Sequence, residues 1–399
     1  MLINSLLRQN LFVDLSIKRF LVIFSLFIIP SFIFSQTDTM YWIGDLSQSD
    51  GRGDWSILNN WSYVSGIQSS PQPSAIPGPN TVVVFDANSR LSGTTDASRT
   101  ITVNSEYSIK SLIFAPSLTN TASNPIIINR GDYHMRVTGD VRLQVGVAMN
   151  SNYNFFAYSL IMQPALGEVS NLYLNGNQLD IHFQKEGMGV TNISETINSS
   201  KYFSVTAGTL NYSASTINVN NITFSNSSVS NFNNLITFQS IGVLAINDVA
   251  MVNLPNVTTM SVYAFGLYST TPLNLPSLQT FTSIAQIAGS NSASTLNLPI
   301  SGGAILDMMY MNYMGNLSAG NSEFLIRNGV FAVKDGTHVY KVTMKNLVND
   351  TQIQGSCIID ELIFENVGAM FVGNCEIGIF TPAPSKNYSI IHNYTLTIT

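Results

Sequence analysis

The sequence predicts an all-β protein, a right-handed parallel β-solenoid (β-helix) with a Trp-rich N-terminal cap, and three observations carry that prediction. Short β-type runs follow one another from Thr81 to the end of the chain. A Leu-rich unit recurs with a period in the low twenties. All three tryptophans of the 399-residue chain lie between residues 41 and 62.

The runs are "TVVVF", "TITVN", "SLIFA", "IIIN", "NLYLNG", "LDIHF", "INVNNITF", "LITFQ", "CIIDELIF" and "YTLTIT". Each alternates apolar and polar residues, or is wholly apolar, over a strand's length, and Asn, Ser and Gly clusters punctuate them. No stretch from residue 36 onward combines a helix-length apolar stripe with capping residues. Hydrophobic residues make up 45% of the chain and charged ones 10%, the reverse of a disordered composition.

The repeat specifies how the strands are arranged. Asn253-Leu254-Pro255-Asn256-Val257 is echoed by Asn274-Leu275-Pro276-Ser277-Leu278 and by Asn297-Leu298-Pro299-Ile300, placing the leucines 21 and then 23 residues apart. A period of that size marks stacked coils. One coil cannot bury its own apolar face, so neighbours stack and their strands pair from coil to coil. The expected organisation is residues 1–35 as a secretory signal, 36–80 as the cap and 81–399 as the solenoid.

The signal follows from a polar start ending at Lys18-Arg19, an apolar run from Phe20 to Phe34 and small Ser35, with cleavage expected after Ser35. The run spans fifteen residues and contains Pro30, short of the roughly 20 apolar residues of a spanning helix. Removing the signal takes away three of the 17 Lys and Arg and one of the 23 Asp and Glu. The remainder carries 14 against 22, a net charge of −8. Nucleic acid is therefore not an expected partner, because phosphate neutralisation needs clustered Lys and Arg. No transmembrane segment is expected once the signal is removed.

Cys357 and Cys375 are too few for a disulfide-built scaffold and lack the paired spacing of a zinc site. They open the similar strands "CIIDELIF" and "CEIGIF". Residues one coil apart lie about 4.8 Å apart, within the Cα separation of roughly 4.4 to 6.8 Å that a disulfide requires. A Cys357–Cys375 disulfide is therefore the candidate. His134, His182, His338 and His392 are scattered, and no metal or cofactor is expected. The asparagines crowded into residues 217–235 are expected at turns, where Asn tolerates left-handed backbone.

The quoted runs and the opening segment carry a resemblance. "YWIG", "GDWS" and "NNWS", followed by "IPGPNTVVVFDANS", "TITVN" and "IKSLIFAPSL", resemble the N-terminal unit of large secreted, adhesin-like surface proteins of Bacteroidota. Some autotransporter-like passenger domains, which are parallel β-helices, open in a similar way. The resemblance covers residues 41 to about 118. It places Trp42 and Gly44 at the opening motif, Trp55-Ser56 and Trp61-Ser62 at two Trp-Ser steps, and Phe85-Asp86 at the close of a strand. The segment "DLSQSDGR", residues 45–52, departs from it. The resemblance implies export, often through type IX machinery with a C-terminal sorting domain, to which residues 380–399 show no convincing equivalent. A weaker resemblance, over residues 252–300, is to the leucine-rich repeats of bacterial surface antigens.

Several residue groups compete as sites. Arg52-Gly53-Asp54 has the form of an attachment tripeptide, but the resemblance accounts for Gly53 and Asp54 and leaves only Arg52. Trp42, Gly44, Trp55, Trp61 and Asp86 are expected to be structural, the indoles closing the first coil. The alternative is a sugar platform. Trp42 is expected to be the most exposed indole, and Trp55 and Trp61 to share one face of an extended segment. Asp45, Asp50 and Asp54 lack the framework of a calcium loop. A polysaccharide lyase or hydrolase would need convergent carboxylates. Asp248 and Asp307 are almost three coils apart, Arg327 has no acidic cluster beside it in sequence, and Asp360-Glu361 with Glu365 should split between opposite strand faces. The expected function is a secreted or cell-surface adhesin-like repeat protein contacting a glycan or protein. A polysaccharide-active enzyme and a non-binding spacer are the alternatives.

Overall fold

Apolar and polar residues alternate strand by strand: in Thr81–Phe85, Thr81, Val83 and Phe85 are buried while Val82 and Val84 are half-buried, the period-2 pattern of a strand with one face on a core. The computed structural model describes residues 37–48, 50–91, 95, 97–118, 126–129, 133–150, 159–177, 179–345, 351–391 and 394–399. The chain divides into Met1–Asp38 and Thr39–Thr399, and the expected signal lies outside the described residues. The described residues of Thr39–Thr399 form strands and turns, with only short 3-10 helices such as Leu58–Asn60 and Ala87–Ser89.

The fold is a parallel β-solenoid. Apart from Asp38–Trp42, which pairs antiparallel with Trp61–Ser62, the strands pair in parallel with their counterparts one coil further on, because an open apolar strand face is covered only by the next coil. Among the described residues, a first sheet of thirteen strands runs from Trp61–Ser62 at one edge to Asn316–Ser318 at the other. A second holds Gly53–Asp54, Thr100–Thr102, Ile126–Asn129, Val147–Asn150 and Leu179–Asp180. A third begins at Tyr107–Ile109 and continues through Met135–Val137, Ser159–Met162 and His182–Lys185 into the C-terminal coils.

The coil length changes along the stack. Val83, Leu112, Val141 and Leu172 are successive register partners, 29, 29 and 31 residues apart. Leu172, Ile193 and Tyr212 follow at 21 and 19. A period in the low twenties therefore holds only for the later coils. From Ile197–Val205 to Ile305–Tyr313, one long bent strand replaces two separate ones, and the turn residues between them are no longer needed; the next coil divides again into Glu323–Ile326 and Val330–Val333. Register irregularities mark the bend at Ser199/Tyr202, Val219/Ile222, Ser240/Val243, Val262/Phe265 and Ser283/Gln286.

The sequence repeat lies inside this register. Asn253 pairs with Asn274 and Asn274 with Asn297, so Leu254, Leu275 and Leu298, all buried, follow one another through the core. Asparagine also does more than occupy turns. Asn226 does take left-handed backbone, with φ +54°, but Asn171, Asn192, Asn211 and Asn231 form an in-register ladder on the outer face of the first sheet. In it, Asn192 Nδ2 donates to Asn171 Oδ1 (3.0 Å), Asn211 Nδ2 to Asn192 Oδ1 (3.0 Å) and Asn231 Nδ2 to Asn211 Oδ1 (2.9 Å). Asp140 Oδ1 ends the ladder by accepting from Asn171 Nδ2 at 2.8 Å. Identical amides one coil apart satisfy both donor and acceptor, as in stacked-strand assemblies generally.

Candidate functional site

The N-terminal candidates come together as a buried cluster. Trp42, Trp55 and Trp61 are all fully buried, so Trp42 is not the exposed member expected, and no indole face is open for a sugar. Trp61 lies edge-on to Trp42 (centroids 4.9 Å apart) and to Trp55 (4.7 Å). All three lie against Phe85, which stacks on Phe114 at 4.6 Å. Trp42 Nε1 donates to the Gly51 carbonyl and Trp61 Nε1 to the Trp55 carbonyl, both at 2.8 Å. The Trp55 Nε1 is buried without a partner. Trp55 and Trp61 meet because the chain turns through Leu58–Asn60, not because the segment between them is extended.

Glycine and a capping turn make room for this cluster. Gly44, at φ +66°, lies so close to Gly51 that a Cβ on it would be 2.5 Å from the Gly51 oxygen. A Cβ on Gly51 would be 2.0 Å from the Ser89 oxygen. Ser89 belongs to a capping box in which Asp86 Oδ1 accepts from Asn88 N (2.9 Å) and Ser89 Oγ accepts from Asp86 N (3.1 Å). Ser89 Oγ in turn donates to the Trp42 carbonyl at 2.8 Å. Sequence reasoning missed Arg90, whose guanidinium holds the loop after Trp42 through the carbonyls of Ile43 (2.9 Å), Asp45 (3.2 Å) and Gln48 (3.3 Å). Its neighbours in sequence gave no sign of that reach.

The tripeptide is divided between two environments. Gly53–Asp54 is the edge strand of the second sheet, in register with Ile101 and Thr102. A Cβ on Gly53 would be 2.6 Å from Asn60 Nδ2 and 3.1 Å from the Trp42 ring. The Asp54 carboxylate accepts from Ser56 N (2.8 Å), Ser56 Oγ (2.7 Å) and Asn104 Nδ2 (2.8 Å). Arg52 extends outward, paired with Asp50 (3.2 Å) and Gln48 Oε1 (2.8 Å), beside a hollow of about 410 Å³ lined by Asp45, Gln48, Ala97 and Thr100. Asp45 accepts from Ser47 N and Oγ, and these bonds hold its carboxyl below the usual range. The three aspartates thus serve three separate turns. Among the described residues, no group of three or more His, Cys, Asp or Glu is placed to hold a metal. His392 lies outside the described residues.

Cys357 and Cys375 are register partners in neighbouring coils. Both are buried as free thiols with sulfurs 3.7 Å apart. The hydrogen bond with Cys375, and burial after it, push the Cys357 thiol up. Oxidised glutathione is expected to take two electrons and two protons from the pair, closing a disulfide and lowering the mass by about 2 Da. Closing a loop of this length should stabilise the last coils by about 3 kcal/mol. Equal melting of the oxidised and reduced forms would count against a strain-free fit.

Asp360, Glu361 and Glu365 are each engaged by a basic or imidazole side chain. Asp360 and Glu361 both face outward, with side-chain exposures of 49% and 28%, because the strand turns a corner between them; they do not split across its faces. Glu323, Lys341 and Glu361 are register neighbours, with Lys341 Nζ 3.2 Å from Glu361 and 4.0 Å from Glu323. Lys345 meets Glu365 at 2.8 Å. Arg327 binds Asp307 of the coil below, a pairing that linear sequence could not show.

Lys185 was also overlooked, although alternation from Phe183 puts it on the inner face. Its side chain is fully buried, and Nζ donates to the carbonyls of Glu186 (2.7 Å), Gly187 (2.7 Å) and Ala207 (3.0 Å). Burial lowers its pKa from 10.5 to about 8. Below about pH 8 the amine is charged in both the folded and the unfolded chain, and folding carries the full desolvation cost. Between about 8 and 10.5 the folded form sheds its proton first, so this group's contribution to stability rises with pH. Wild type should therefore gain thermal stability relative to Lys185→Met across that window. A pH-independent difference would contradict this.

An open groove lies where the turns after the first sheet come to an end. Those turns span residues 254–258, 275–279, 298–304 and 319–322, and then vanish as Thr337–Lys345 runs continuously around the corner. Ile300 and Ala319-Gly320-Asn321 form a wall, and Thr337, His338, Tyr340 and Asp360 a floor, around a space of about 610 Å³. His338 Nε2 donates to Asp360 Oδ1 at 2.7 Å. Lys334 Nζ borders the groove, donating to the Ser292 carbonyl (2.9 Å) and Asn316 Oδ1 (2.7 Å). Compared with known proteins, the chain matches no family model, no curated protein and no solved structure.

Proposed function

We propose that this is an exported surface protein, adhesin-like, that recognises a glycan or protein on another surface without catalysing a reaction. The observation that carries this reading is the parallel solenoid, whose outer face repeats from coil to coil and includes an amide ladder and ion pairs between neighbouring coils. Such a surface presents many similar weak contacts at fixed spacing, and repetition raises avidity. The engagement of Asp360, Glu361 and Glu365 by His338, Lys341 and Lys345 supports binding over polysaccharide hydrolysis, which needs a free pair of carboxylates. No helix among the described residues is long and apolar enough to cross a membrane.

The resemblance of residues 41–118 to Bacteroidota surface proteins supports a bacterial origin, a secretory signal and type IX export. A right-handed coil belongs to the same reading, since parallel crossover connections take that hand. The buried indoles support a structural cap. Arg52-Gly53-Asp54 belongs to that cap, because Gly53 and Asp54 are occupied by strand pairing and a turn. The test is binding of the purified protein to glycan arrays and immobilised matrix proteins. Saturable binding, unchanged in Arg52→Ala, is expected. No binding to any surface would leave the spacer reading in its place.

A further inference from the structure

The groove beneath residues 319–322 combines an exposed aromatic ring, an exposed aliphatic side chain and several polar groups. It exists because two protruding turns stop abruptly against a strand that bends with no turn at all. Its floor carries Tyr340, 40% exposed, on the same strand as His338 and two residues from it, so both side chains face outward. Asp360 lies on the neighbouring strand, joined to His338. Ile300, 84% exposed, stands at the wall. An exposed ring and an aliphatic side chain thus border a row of hydrogen-bonding groups.

We propose that this groove is a saccharide-binding subsite for a neutral, polyhydroxylated ligand, with the Tyr340 ring against the C–H face of one sugar unit. The charge pattern selects the ligand class. His338 Nε2 is hydrogen-bonded to Asp360, and Lys334 has Asp335 as its sequence neighbour, so no cluster of cations favours an anionic partner. The groove carries both donors and acceptors. Asp360 only accepts, and Lys334 has three ammonium protons, two of them committed to Ser292 and Asn316. Adjacent sugar hydroxyls, each both donor and acceptor, match such a set. A pocket with an apolar surface and a few convergent polar groups is the ordinary form of a small-ligand site, and a tyrosine supplies both an apolar face and a polar tip.

This inference rests on the adhesive reading and narrows it to one ligand class and one place. The test uses the purified protein on an array of neutral hexose oligosaccharides and uronate oligosaccharides, with immobilised matrix proteins in parallel. Wild type is expected to bind neutral oligosaccharides. Tyr340→Ala should weaken that binding at least tenfold and Asp360→Asn severalfold, whereas Tyr263→Ala, at an exposed tyrosine outside the groove, should leave it unchanged. Circular dichroism and melting of each variant separate a lost contact from a lost fold. Glycan binding undiminished in a folded Tyr340→Ala would overturn the subsite and leave adhesion standing. Binding only to uronates or matrix proteins would do the same. Binding to nothing would overturn both.

Discussion

Trp61→Ala is expected to lose about 3–5 kcal/mol from the N-terminal coils, the range for removing a large buried aromatic. Trp61 is the centre of the cluster, edge-on to both other indoles, and its Nε1 satisfies the buried Trp55 carbonyl. Its ring neighbours Trp42, Trp55 and Phe85 are themselves fully buried, so the removed ring leaves a cavity among packed side chains. In a stacked fold each coil depends on its neighbours, so the damage should stay local. Hydrogen exchange should show amides of residues 39–118 losing protection while those of 209–326 keep it. Trp55→Phe is the contrasting variant: it removes an indole N–H that has no partner, and it should cost much less. Unchanged protection over residues 39–118 in Trp61→Ala would show that the indoles do not hold the first coils together.

Leu275→Ala should cost about 2–5 kcal/mol, but in the middle of the stack. Leu275 is fully buried between Leu254 and Leu298, the corresponding positions of the adjacent coils. Truncation there weakens two interfaces at once, and urea unfolding should change from one transition to two as the halves uncouple. Leu254→Ala and Leu275→Ala share one cavity, so the double variant should depart from additivity by about 0.5–3 kcal/mol. Leu112→Ala, several coils away, should add to Leu275→Ala without coupling. Additive behaviour in the neighbouring pair would mean that the repeats are independent units.

The repeat was legible because stacking imposes it on the sequence. A residue in one coil must match the residue above it, so Asn253, Asn274 and Asn297 recur at the coil period and fall into register. The early coils, with steps near thirty residues, were not legible, because their strands are short and their turns differ in length and composition. The asparagine ladder was not legible for a related reason: its amide donors and acceptors, one coil apart, are some twenty residues apart in sequence. Likewise, the expected opposite orientation of Asp360 and Glu361 assumed a straight strand, and the corner between them removes that rule.

The sequence alone determined the strand-rich class, the stacked repeat, the in-register positions of Cys357 and Cys375 and the gathering of the tryptophans, because each leaves a local or periodic pattern. Tertiary structure decided what those residues face. It buried Trp42, made Gly53–Asp54 a rung of a sheet, carried Arg90 to the loop after Trp42, paired Arg327 with Asp307, and opened a groove where a turn is missing. These outcomes depend on which segments become neighbours one coil apart and on where the strands bend. Residue order specifies them only through the packing of the whole stack.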